Sequence, residues 1–446
     1  ATNVIRAGDP YYTCYSEDTR VFTRDGLKYF WELTYNDEIM TLNPLTREIE
    51  YQKPKKIFVY DFEGEMIHFE GRFTDLLVTP NHRMVIDRGD RIEFIEAREI
   101  LRRIEASKSK HLLYKEAYQK SLKMLSNGYK VSEISKILGI PCDTIYGWKY
   151  GKKPRGAVGK GSILRAKKGK FRQVRDVLWR GKEADYIEIP RPHYGGHPGH
   201  ILNRVPTDIW MRFLGWYLSE GSCFKSKDGG YVIEFGSKEQ DVREFEEIIE
   251  KLGFKYSKVQ FSNVPGIVFH SKQLYEILPK GAKNKYIPSE IKELSPKYLK
   301  ILLETMIKGD GTHRNGKNIR YGTVSKKLAE DVIEIAIKCG YGVSLSIRKQ
   351  ERILPQGTKY NGTSYIVGIQ KYRKGVTLPR PHTEYYKGKV WCVEVPNHII
   401  LVERNGKFAW CGNSLYKAKK KYYLKVRGME KYIEDPTKCP DYEKCM

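Results

Sequence analysis

The sequence predicts a multidomain chain in which an all-β unit is interrupted by a small α-helical insertion and by a mixed α+β unit of two similar halves. Three observations support this prediction. Short strand patterns bounded by turn residues lie near both ends of the chain, a strongly basic helical block follows the first group, and an apolar helical motif occurs twice in the middle. The 446 residues suffice for about three domains.

The charge balance points to a nucleic-acid partner. Lys and Arg number 80 against 54 Asp and Glu, a formal net charge of +26, which favours a polyanionic partner. With 40% hydrophobic residues the chain is expected to be globular, and no apolar run approaches the ~18 residues of a membrane span. The N-terminal residues lack an apolar signal core, and the eight cysteines are scattered, so we expect a cytoplasmic protein of prokaryotic or archaeal type. Abundant Lys, Glu, Ile and Tyr are typical of thermophiles.

The all-β unit is predicted from short runs of β-branched and aromatic residues. Turn residues separate these runs, and an Arg-Asn-Gly turn at 404–406 joins the last pair as a hairpin. The predicted strands are 21–23, 56–60, 66–69, 75–78, 390–395 and 399–402.

The basic block carries a helix-turn-helix pattern. Residues 101–182 hold 22 Lys and Arg against five Asp and Glu. After a helical stretch at 112–125, apolar residues at helical spacing in 131–138 end at Gly139, and a second short helix follows. This pattern is typical of DNA-reading helices, with a purely structural helical hairpin as the alternative. The candidate DNA contacts are Thr144, Tyr146, Trp148, Lys149, Lys152, Lys153 and Arg155.

The middle of the chain contains an internal duplication. An apolar helix ends in Glu-Gly at 220–221, and about ninety residues later another ends in Asp-Gly at 310–311. A strand ending in Ser-Lys follows each helix, at 233–238 and 321–326, and an acidic amphipathic helix follows each strand. One such helix alone is usually a core helix with a glycine cap, but the repetition argues for a common function of the two acids.

The motifs at the ends of the β unit occur in the order found in inteins. Cys14 opens the unit, Thr-Pro-Asn-His stands at 79–82, Asn397-His398 follows a late strand, and Cys-Gly-Asn at 411–413 directly precedes Ser414. The segment 14–413, about nine-tenths of the chain, therefore resembles an intein. This resemblance implies the all-β, horseshoe-like Hint fold of a splicing domain.

The resemblance also implies a role for each matched residue. The Cys14 thiol attacks the Thr13 carbonyl and forms a thioester, while His82, oriented by Thr79, protonates the leaving nitrogen. Ser414 then accepts the acyl group. Asn413 cyclises through its side-chain amide with proton transfer assisted by His398, and the remaining ester rearranges to an amide. No cofactor is needed for these steps.

Two positions depart from the family pattern. Gly412 stands where a histidine usually precedes the terminal asparagine, and we expect it to slow cyclisation or to shift the burden to His398. Cys392 stands where an aspartate is common. It is assigned a tuning or proton-transfer role, with a buried apolar residue as the alternative.

The duplicated unit resembles the two-motif LAGLIDADG homing endonucleases, which implies a pseudo-two-fold α/β fold of mixed α+β type. The resemblance makes Glu220 and Asp310 the catalytic acids and the ligands of Mg²⁺, and it assigns Lys238 and Lys326 to orienting the attacking water. It implies a monomer that cuts a long asymmetric site in double-stranded DNA. The first acid is Glu rather than the commoner Asp, and the segment 284–288 also matches the pattern of intein endonucleases.

The domain boundaries follow from these assignments. The strand pattern at 185–191 is expected to continue the β unit after 96–101. We predict flanks of a host protein at 1–13 and 414–446, the splicing domain at 14–101, 183–204 and 384–413, the basic insertion at 102–182, and the endonuclease at 205–383.

The sequence thus predicts a self-splicing protein that carries a site-specific DNA endonuclease. Two alternatives remain open. One is a DNA-binding protein of this ancestry in which splicing or cutting is lost or slowed. The other is a Hint autoprocessing domain that cleaves without ligation, which Ser414 disfavours.

Overall fold

The computed structural model describes residues 4–6, 13–152, 171–193, 200–262, 264–314, 318–353, 359–370 and 376–413. Ser414, Lys153, Arg155 and most of the two predicted flanks lie outside these ranges. Buried apolar side chains form three cores: one in the all-β frame, one centred on the duplicated unit, and a small one in the helical insertion. Within the described ranges, no helix is both long and apolar enough to cross a membrane.

The frame begins with ten strands, most of them short. The predicted strands 56–60 and 66–69 are parts of one 15-residue strand, so the break expected between them is wrong. A short 3₁₀ turn (Phe30–Glu32) also lies here. The strands are β1 (Val4–Arg6), β2 (Tyr15–Ser16), β3 (Arg20–Thr23), β4 (Gly26–Tyr29), β5 (Ile39–Leu42), β6 (Ile49–Gln52), β7 (Lys56–Glu70), β8 (Asp75–Val78), β9 (Arg83–Asp87) and β10 (Ile92–Glu96).

Three helices follow: α1 (Ala97–Ser126), α2 (Val131–Leu138) and α3 (Cys142–Lys149). Ala97 and Ile100 of α1 are buried in the frame core, so the helix crosses the boundary predicted at 101/102. The turn between α2 and α3 begins at Gly139, whose φ of +64° suits a glycine. Residues 171–182 lie outside the insertion: Phe171 belongs to the frame core, residue 172 bridges to Asp87, and residue 182 bridges to Leu294 of the duplicated unit.

The next strand, β11 (Tyr186–Glu188), pairs antiparallel with β12 (Arg204–Pro206) and with no other described strand. Ile189 and Val205 are buried in the core centred on the duplicated unit. The expectation that residues 185–191 continue the β frame is therefore wrong. Pairing with a strand fewer than twenty residues away closes a short loop, which costs less conformational entropy than rejoining the frame.

The duplicated unit has the same element order in both halves. The first half is α4 (Thr207–Glu220), β13 (Gly221–Lys225), β14 (Tyr231–Gly236), α5 (Glu239–Lys251), β15 (Tyr256–Phe261) and β16 (Val264–His270). A connection with α6 (Lys272–Ile277), a 3₁₀ turn (Ala282–Asn284) and α7 (Ser289–Lys292) follows. The second half is α8 (Pro296–Asp310), β17 (Gly311–Arg314), β18 (Asn318–Thr323), α9 (Lys326–Lys338), β19 (Gly342–Ile353) and β20 (Lys359–Gln370). The strand orders β13-β14-β16-β15 and β17-β18-β20-β19 match, which confirms the duplication.

The chain returns to the frame through β21 (His382–Glu394), β22 (Ile399–Arg404) and β23 (Lys407–Gly412). Asn405 and Gly406 both have positive φ, +50° and +75°, as expected for a tight hairpin turn. Strand β21 pairs along its whole length with β7. Strand β19 lies beside β23, where the Leu345 N–H donates to the Gly406 carbonyl at 2.8 Å, so the second half and the frame share one sheet.

A buried polar cluster also joins the duplicated unit to the frame. The Lys338 ammonium donates to Glu334 at 2.8 Å and lies 4.0 Å from the centroid of the Trp179 ring. The Tyr51 hydroxyl of the frame donates to the same Glu334 at 2.6 Å. Burial and these cations act in opposite directions on Glu334, and the cations hold its pKa below the usual range. The two units therefore contact each other through ordered, paired charges.

Candidate functional site

The first predicted splice junction is the amide between Thr13 and Cys14. Thr79 holds the backbone of Cys14 at this junction. The Cys14 N–H donates to Thr79 Oγ1 at 3.0 Å, and the Thr79 N–H donates to the Cys14 carbonyl, also at 3.0 Å. This arrangement arises because β2 pairs with β8, placing Tyr15 opposite Val78. Thr79 is thus positioned to orient the Thr13–Cys14 amide.

His82 is completely buried beside this amide. Its backbone N–H closes the turn from Thr79 at 2.9 Å, and its Nε2 lies 3.2 Å from Cys411 Sγ. Burial and the neighbouring Arg83 lower the His82 pKa to about 3, while an interaction with the Thr13 backbone acts in the opposite direction. His82 is therefore a neutral imidazole next to the first junction.

Three buried thiols belong to the core around this site, those of Cys14, Cys392 and Cys411, and Cys411 contacts the His82 imidazole. Burial raises the Cys14 pKa well above its usual range, and Cys392 raises it further. Burial also raises the Cys411 pKa to about 12. The raised pKa values favour the protonated thiols of Cys14 and Cys411, so Cys14 must lose its proton to a neighbour before it can attack. Cys411 was missed by sequence analysis because a cysteine in a strand reads as an apolar residue.

The second predicted splice junction follows Asn413, and His398 contacts the side chain and backbone of this residue. Asn413 is fully buried, and its Nδ2 donates to the Val395 carbonyl at 3.4 Å. Its Oδ1 therefore faces His398 Nδ1, at 3.1 Å. The Asn413 N–H also donates to the His398 carbonyl at 3.1 Å, and His398 adopts a left-handed φ of +57°. The predicted neighbourhood of His398 and Asn413 is thus present.

Gly412 has a steric reason for lacking a side chain. A Cβ built at this position would overlap the carbonyl oxygen of Arg83, because β23 runs close to β9. The histidine of the family pattern has no room here. The Gly412 carbonyl instead accepts a hydrogen bond from the Tyr15 hydroxyl at 2.6 Å. This bond joins two residues that are 397 positions apart, so both junctions lie in one buried site.

Arg83 is the charged residue that sequence analysis missed. Its Nη1 is buried with no hydrogen-bond partner among the described residues, and its guanidinium lies 4.1 Å from the centroid of the Phe94 ring. Burial lowers its pKa to about 10. It remains cationic at neutral pH and lowers the pKa of both His82 and His398. Only its position directly after His82 could have indicated it.

The second candidate site lies where α4 and α8 end side by side. A Cβ at Gly215 would lie 2.7 Å from Thr305 Cβ, and one at Gly309 would lie 2.5 Å from Ser219 Cβ. Only residues without side chains allow the two helices to approach this closely. The contact brings Glu220 and Asp310, the last residues of the helices, to one point.

The two acids repel each other and share a buried lysine. Burial and Glu220 raise the Asp310 pKa to about 7, and burial together with Asp241 raises that of Glu220. Lys285 opposes both shifts, and burial lowers its own pKa to about 8. Its ammonium donates to the Tyr217 carbonyl at 2.9 Å. Lys285 lies in the segment 284–288 that sequence analysis noted without assigning it a role.

The two predicted lysines lie at corresponding places, at the N-terminal ends of α5 and α9. Lys238 is exposed and lowers the Glu220 pKa, so it is near the first acid. Lys326 instead pairs with Glu330 at 3.8 Å, and the ionisation of Asp310 responds to Glu220 and Lys285. The described contacts therefore place Lys285 beside Asp310, while the role predicted for Lys326 stays a prediction.

In the helical insertion, the predicted DNA contacts differ in exposure. Tyr146, Lys149 and Lys152 are exposed and Thr144 is partly exposed. Trp148 is 4% exposed and packs with Val131, Ile134, Ile140 and Ile145 in the core of the insertion. Its assignment as a DNA contact is wrong, because an apolar indole at this helical position completes the small core.

No family model matches the chain. Among curated proteins, it is 23% identical over 345 residues to an ATP-dependent Clp protease proteolytic subunit from Chlamydomonas moewusii, covering 73% of this chain and 28% of that protein. It is 23% identical over 480 residues to the C-terminal section of the DNA-directed RNA polymerase subunit beta from Stigeoclonium helveticum, covering 92% and 37%. It is 25% identical over 189 residues to the ribonucleoside-diphosphate reductase subunit beta of Aquifex aeolicus, covering 40% and 26%.

The chain thus spans roughly a quarter to two-fifths of the length of these relatives. Similar solved structures include a glutathione-linked, splice-inactive AceL NrdHF class 3 split intein, with 31% identity and a TM-score of 0.19 over 19% of this chain and 56% of that one. They also include a variant of the homing endonuclease I-DmoI, with 16% identity and a TM-score of 0.26 over 37% and 89%.

Proposed function

We propose that residues 14–413 are a self-splicing segment that excises itself and joins its flanks, and that the duplicated unit is a site-specific DNA endonuclease. The observation that carries the splicing proposal is the hydrogen bond between the Tyr15 hydroxyl and the Gly412 carbonyl. A buried site that gathers the first and last residues of one segment is suited to exchanging the bonds at its two ends.

In the first step, the Cys14 thiol passes its proton to the neutral His82 imidazole and the sulfur attacks the Thr13 carbonyl. A carbon–sulfur bond forms and the Thr13–Cys14 carbon–nitrogen bond breaks, with His82 returning the proton to the leaving nitrogen. The hydrogen bond from the Cys14 N–H to Thr79 Oγ1 fixes the orientation of this amide.

The next steps transfer the acyl group and release the segment. The Ser414 hydroxyl attacks the thioester and the Cys14 thiol leaves with a proton. Asn413 Nδ2 then attacks its own carbonyl, which closes a succinimide and breaks the bond to residue 414. His398, whose Nδ1 lies 3.1 Å from Asn413 Oδ1, takes the proton that Nδ2 loses and returns it to the leaving nitrogen of residue 414, while the Arg83 cation stabilises the negative charge on the attacked carbonyl oxygen. The ester between residues 13 and 414 finally rearranges to an amide.

The names of the curated relatives support an inserted segment. They are a protease subunit, a polymerase subunit and a reductase subunit, and the similarity takes in only 26–37% of each. A segment shared by proteins with three unrelated activities is expected of an element that inserts into hosts. It is not expected of a domain that serves any one of those activities.

For the nuclease, the donor set fits a hard divalent cation such as Mg²⁺. Glu220 and Asp310 supply carboxylate oxygens from two helix ends, and their mutual repulsion would be relieved by a cation between them. When bound, the ion would activate water and stabilise the leaving oxygen of the phosphodiester. The buried Lys285 ammonium holds the carboxylates close together and is available to orient the attacking water.

The proposed DNA surface combines the strands of the two halves, β13–β16 and β17–β20, with the basic insertion. The net charge of +26 suits phosphate contacts, and the exposed Lys149, Lys152 and Tyr146 continue this surface from the insertion. Because the two halves differ in sequence, the site that they read is expected to be long and asymmetric, and a single chain supplies both acids.

The test of splicing is the intact mass of the full chain over time, compared with the Cys14→Ala variant. We expect the parent to give an excised 14–413 product and a ligated flank peptide, and the variant to retain the peptide bond after Thr13 even with added thiol. A parent mass that stays constant under all conditions, or flanks that are released without ligation, would overturn the proposal.

The test of cutting uses a DNA library and the Asp310→Ala variant. We expect the parent to cut a small set of sequences in Mg²⁺, the variant to bind the same DNA without cutting, and both chains to splice alike. Because Asp310 must lose its proton to bind the ion, the affinity for Mg²⁺ should rise with pH through about 7 and then level off. A variant that still cuts at the parental rate would refute the assignment.

A further inference from the structure

Strands β7 and β21 carry two histidines and a glutamate on one face of the frame, away from both candidate sites. His382 is directly opposite His68 in the antiparallel register, and Glu384 is two residues further along β21. Residues two apart on a strand share a face, and opposite residues have neighbouring Cβ atoms. The register therefore places the three side chains together.

The side-chain geometry agrees with the register. His68 Nδ1 lies 2.7 Å from Glu384 Oε2, and the rings of His68 and His382 have centroids 5.1 Å apart. One potential ligand atom from each of the three residues lies within 4.8 Å of the others. His68 is almost buried, whereas His382 and Glu384 are exposed, so solvent reaches the group from one side.

A buried carboxylate holds the inner histidine in place. Asp75 Oδ1 lies 2.9 Å from His68 Nε2, the ring nitrogen that points away from Glu384. Arg404 contacts Asp75 and also lies with its Nη1 3.0 Å from His68 Nε2, and Asn405 Nδ2 donates to Asp75 at 3.2 Å. Metal-binding histidines characteristically donate their second N–H to a carboxylate, which fixes the tautomer that leaves the other nitrogen free for the ion.

We propose that His68, His382 and Glu384 form a binding site for a borderline divalent ion such as Zn²⁺. Two imidazole nitrogens and one carboxylate oxygen are a common ligand set for this ion, and the exposed side leaves a fourth position for water. Asp75 would support His68 from behind. Neither splicing nor DNA cutting, as proposed above, uses any of these residues.

An ion at this site would stabilise the pairing of β21, the strand through which the chain returns to the frame, with β7. His382 is the first residue of β21, and the same strand continues to Cys392 in the splicing site. An ion bound to both strands resists fraying at this end of the β7–β21 ladder. Because metal binds the folded chain in preference to the unfolded one, its binding should raise the melting temperature.

The experiment uses the full chain with Cys14→Ala, which removes one buried thiol and blocks the first splicing step, in excess Mg²⁺ to saturate the carboxylate pair. Co²⁺ serves as a spectroscopic probe and is displaced by Zn²⁺. We expect one saturable site without a thiolate-to-metal absorption band, and a higher melting temperature on binding. His382→Ala should lose far more affinity than the roughly 10–100-fold expected when an outer partner such as Asp75 is changed to Asn.

The matched control is His193→Ala. His193 also lies near a glutamate, with its Nδ1 3.6 Å from Glu276, but no second histidine accompanies this pair in the described residues. This variant should keep the parental affinity. A thiolate band, binding that survives in His382→Ala, or the lack of saturable binding in the Cys14→Ala chain would each overturn the proposal. None of these outcomes depends on whether the chain splices or cuts DNA.

Discussion

The proposed splicing site and the proposed nuclease centre differ in the charge of their buried groups. In the first, burial makes the catalytic groups neutral: it raises the Cys14 pKa and lowers the His82 pKa to about 3. In the second, two carboxylates and the Lys285 ammonium meet at helix ends that solvent reaches from one side. The first site is therefore suited to transferring protons between neutral groups. The second is suited to binding a cation and phosphate through its charged groups.

The difference follows from where each substrate comes from. The amide next to Cys14 is part of the chain and enters its site by folding, so nothing has to be admitted from solvent. A phosphodiester and its counter-ion must enter from outside, which requires an open site with a charged surface. The comparison predicts that substitutions in the proposed nuclease centre change metal and DNA chemistry, whereas substitutions in the proposed splicing site change packing or the pKa values of buried groups.

The largest expected effect is that of Lys285→Met. Removing the ammonium leaves two repelling carboxylates without their buried cation, so the pKa of Asp310 should rise further and cutting in Mg²⁺ should fall by about 10²–10⁴-fold. The measurement is single-turnover cleavage of a cut DNA site. The matched control is Lys238→Met at an exposed lysine near Glu220, which should cost less. Equal losses for both variants would remove Lys285 from the centre.

Next in size is the effect of Gly412→His, which restores the residue that inteins usually have. Because the Arg83 carbonyl occupies the space, we expect overpacking that destabilises the fold by about 1–3 kcal/mol and slows cleavage after Asn413. The measurements are thermal unfolding and C-terminal cleavage in the Cys14→Ala chain. Gly412→Ala should also lower the stability and slow this cleavage. Faster cleavage by the histidine variant would mean that the backbone of β9 moves aside at Arg83, and would contradict the steric explanation.

A smaller effect is expected for Arg83→Met. The cation lowers the His398 pKa, after the larger contribution of burial, so its removal should raise that pKa. The limb of the pH profile that reports His398 should therefore move to higher pH. The rate of cleavage after Asn413 should fall by about 10–100-fold, less than for a direct oxyanion donor.

This profile is measured on the Cys14→Ala chain, in which cleavage after Asn413 is seen alone. The control is Arg91→Met, at an exposed arginine between β9 and β10. It should leave both the cleavage rate and its pH profile unchanged. An unshifted profile for Arg83→Met would show that its charge does not reach the second junction.

The smallest effect is expected on the exposed face of the insertion. Lys149→Ala should lower the slope of log affinity against log salt by about 0.9, as for one lost phosphate contact. Trp148→Ala, one residue away but buried, should instead destabilise the insertion by about 3–5 kcal/mol. Salt-dependent DNA binding and thermal unfolding separate the two. A loss of salt slope from Trp148→Ala in a folded chain would contradict its burial.

Patterns that repeat or lie close together in sequence were predicted well. The duplicated order of helices and strands, the helices of the basic block and the nearness of Thr79 to Cys14 all follow from local periodicity or from matched motifs. The role of Gly412 could be flagged as unusual but not explained, since its cause is the backbone of another strand.

What the sequence did not reveal depends on contacts between distant segments. Lys285, Arg83 and Cys411 gain their roles only when β9, β23 and the connection after α6 meet other elements. Likewise, the choice of β12 as the partner of β11 is a competition between pairings that local propensity does not decide. Trp148 was misassigned because an aromatic residue on a short helix can face either DNA or the core.

The hydrogen bond between Tyr15 and the Gly412 carbonyl also implies a delay during synthesis of the chain, because its two partners are made at different times. The first junction lacks its neighbours on β23 until the ribosome has made almost the whole segment 14–413. At the usual speed of translation, that delay is roughly 20–80 s. Under the proposed splicing reaction, the amide before Cys14 is an ordinary peptide bond throughout this interval, so the nascent chain does not cut itself before its second end exists.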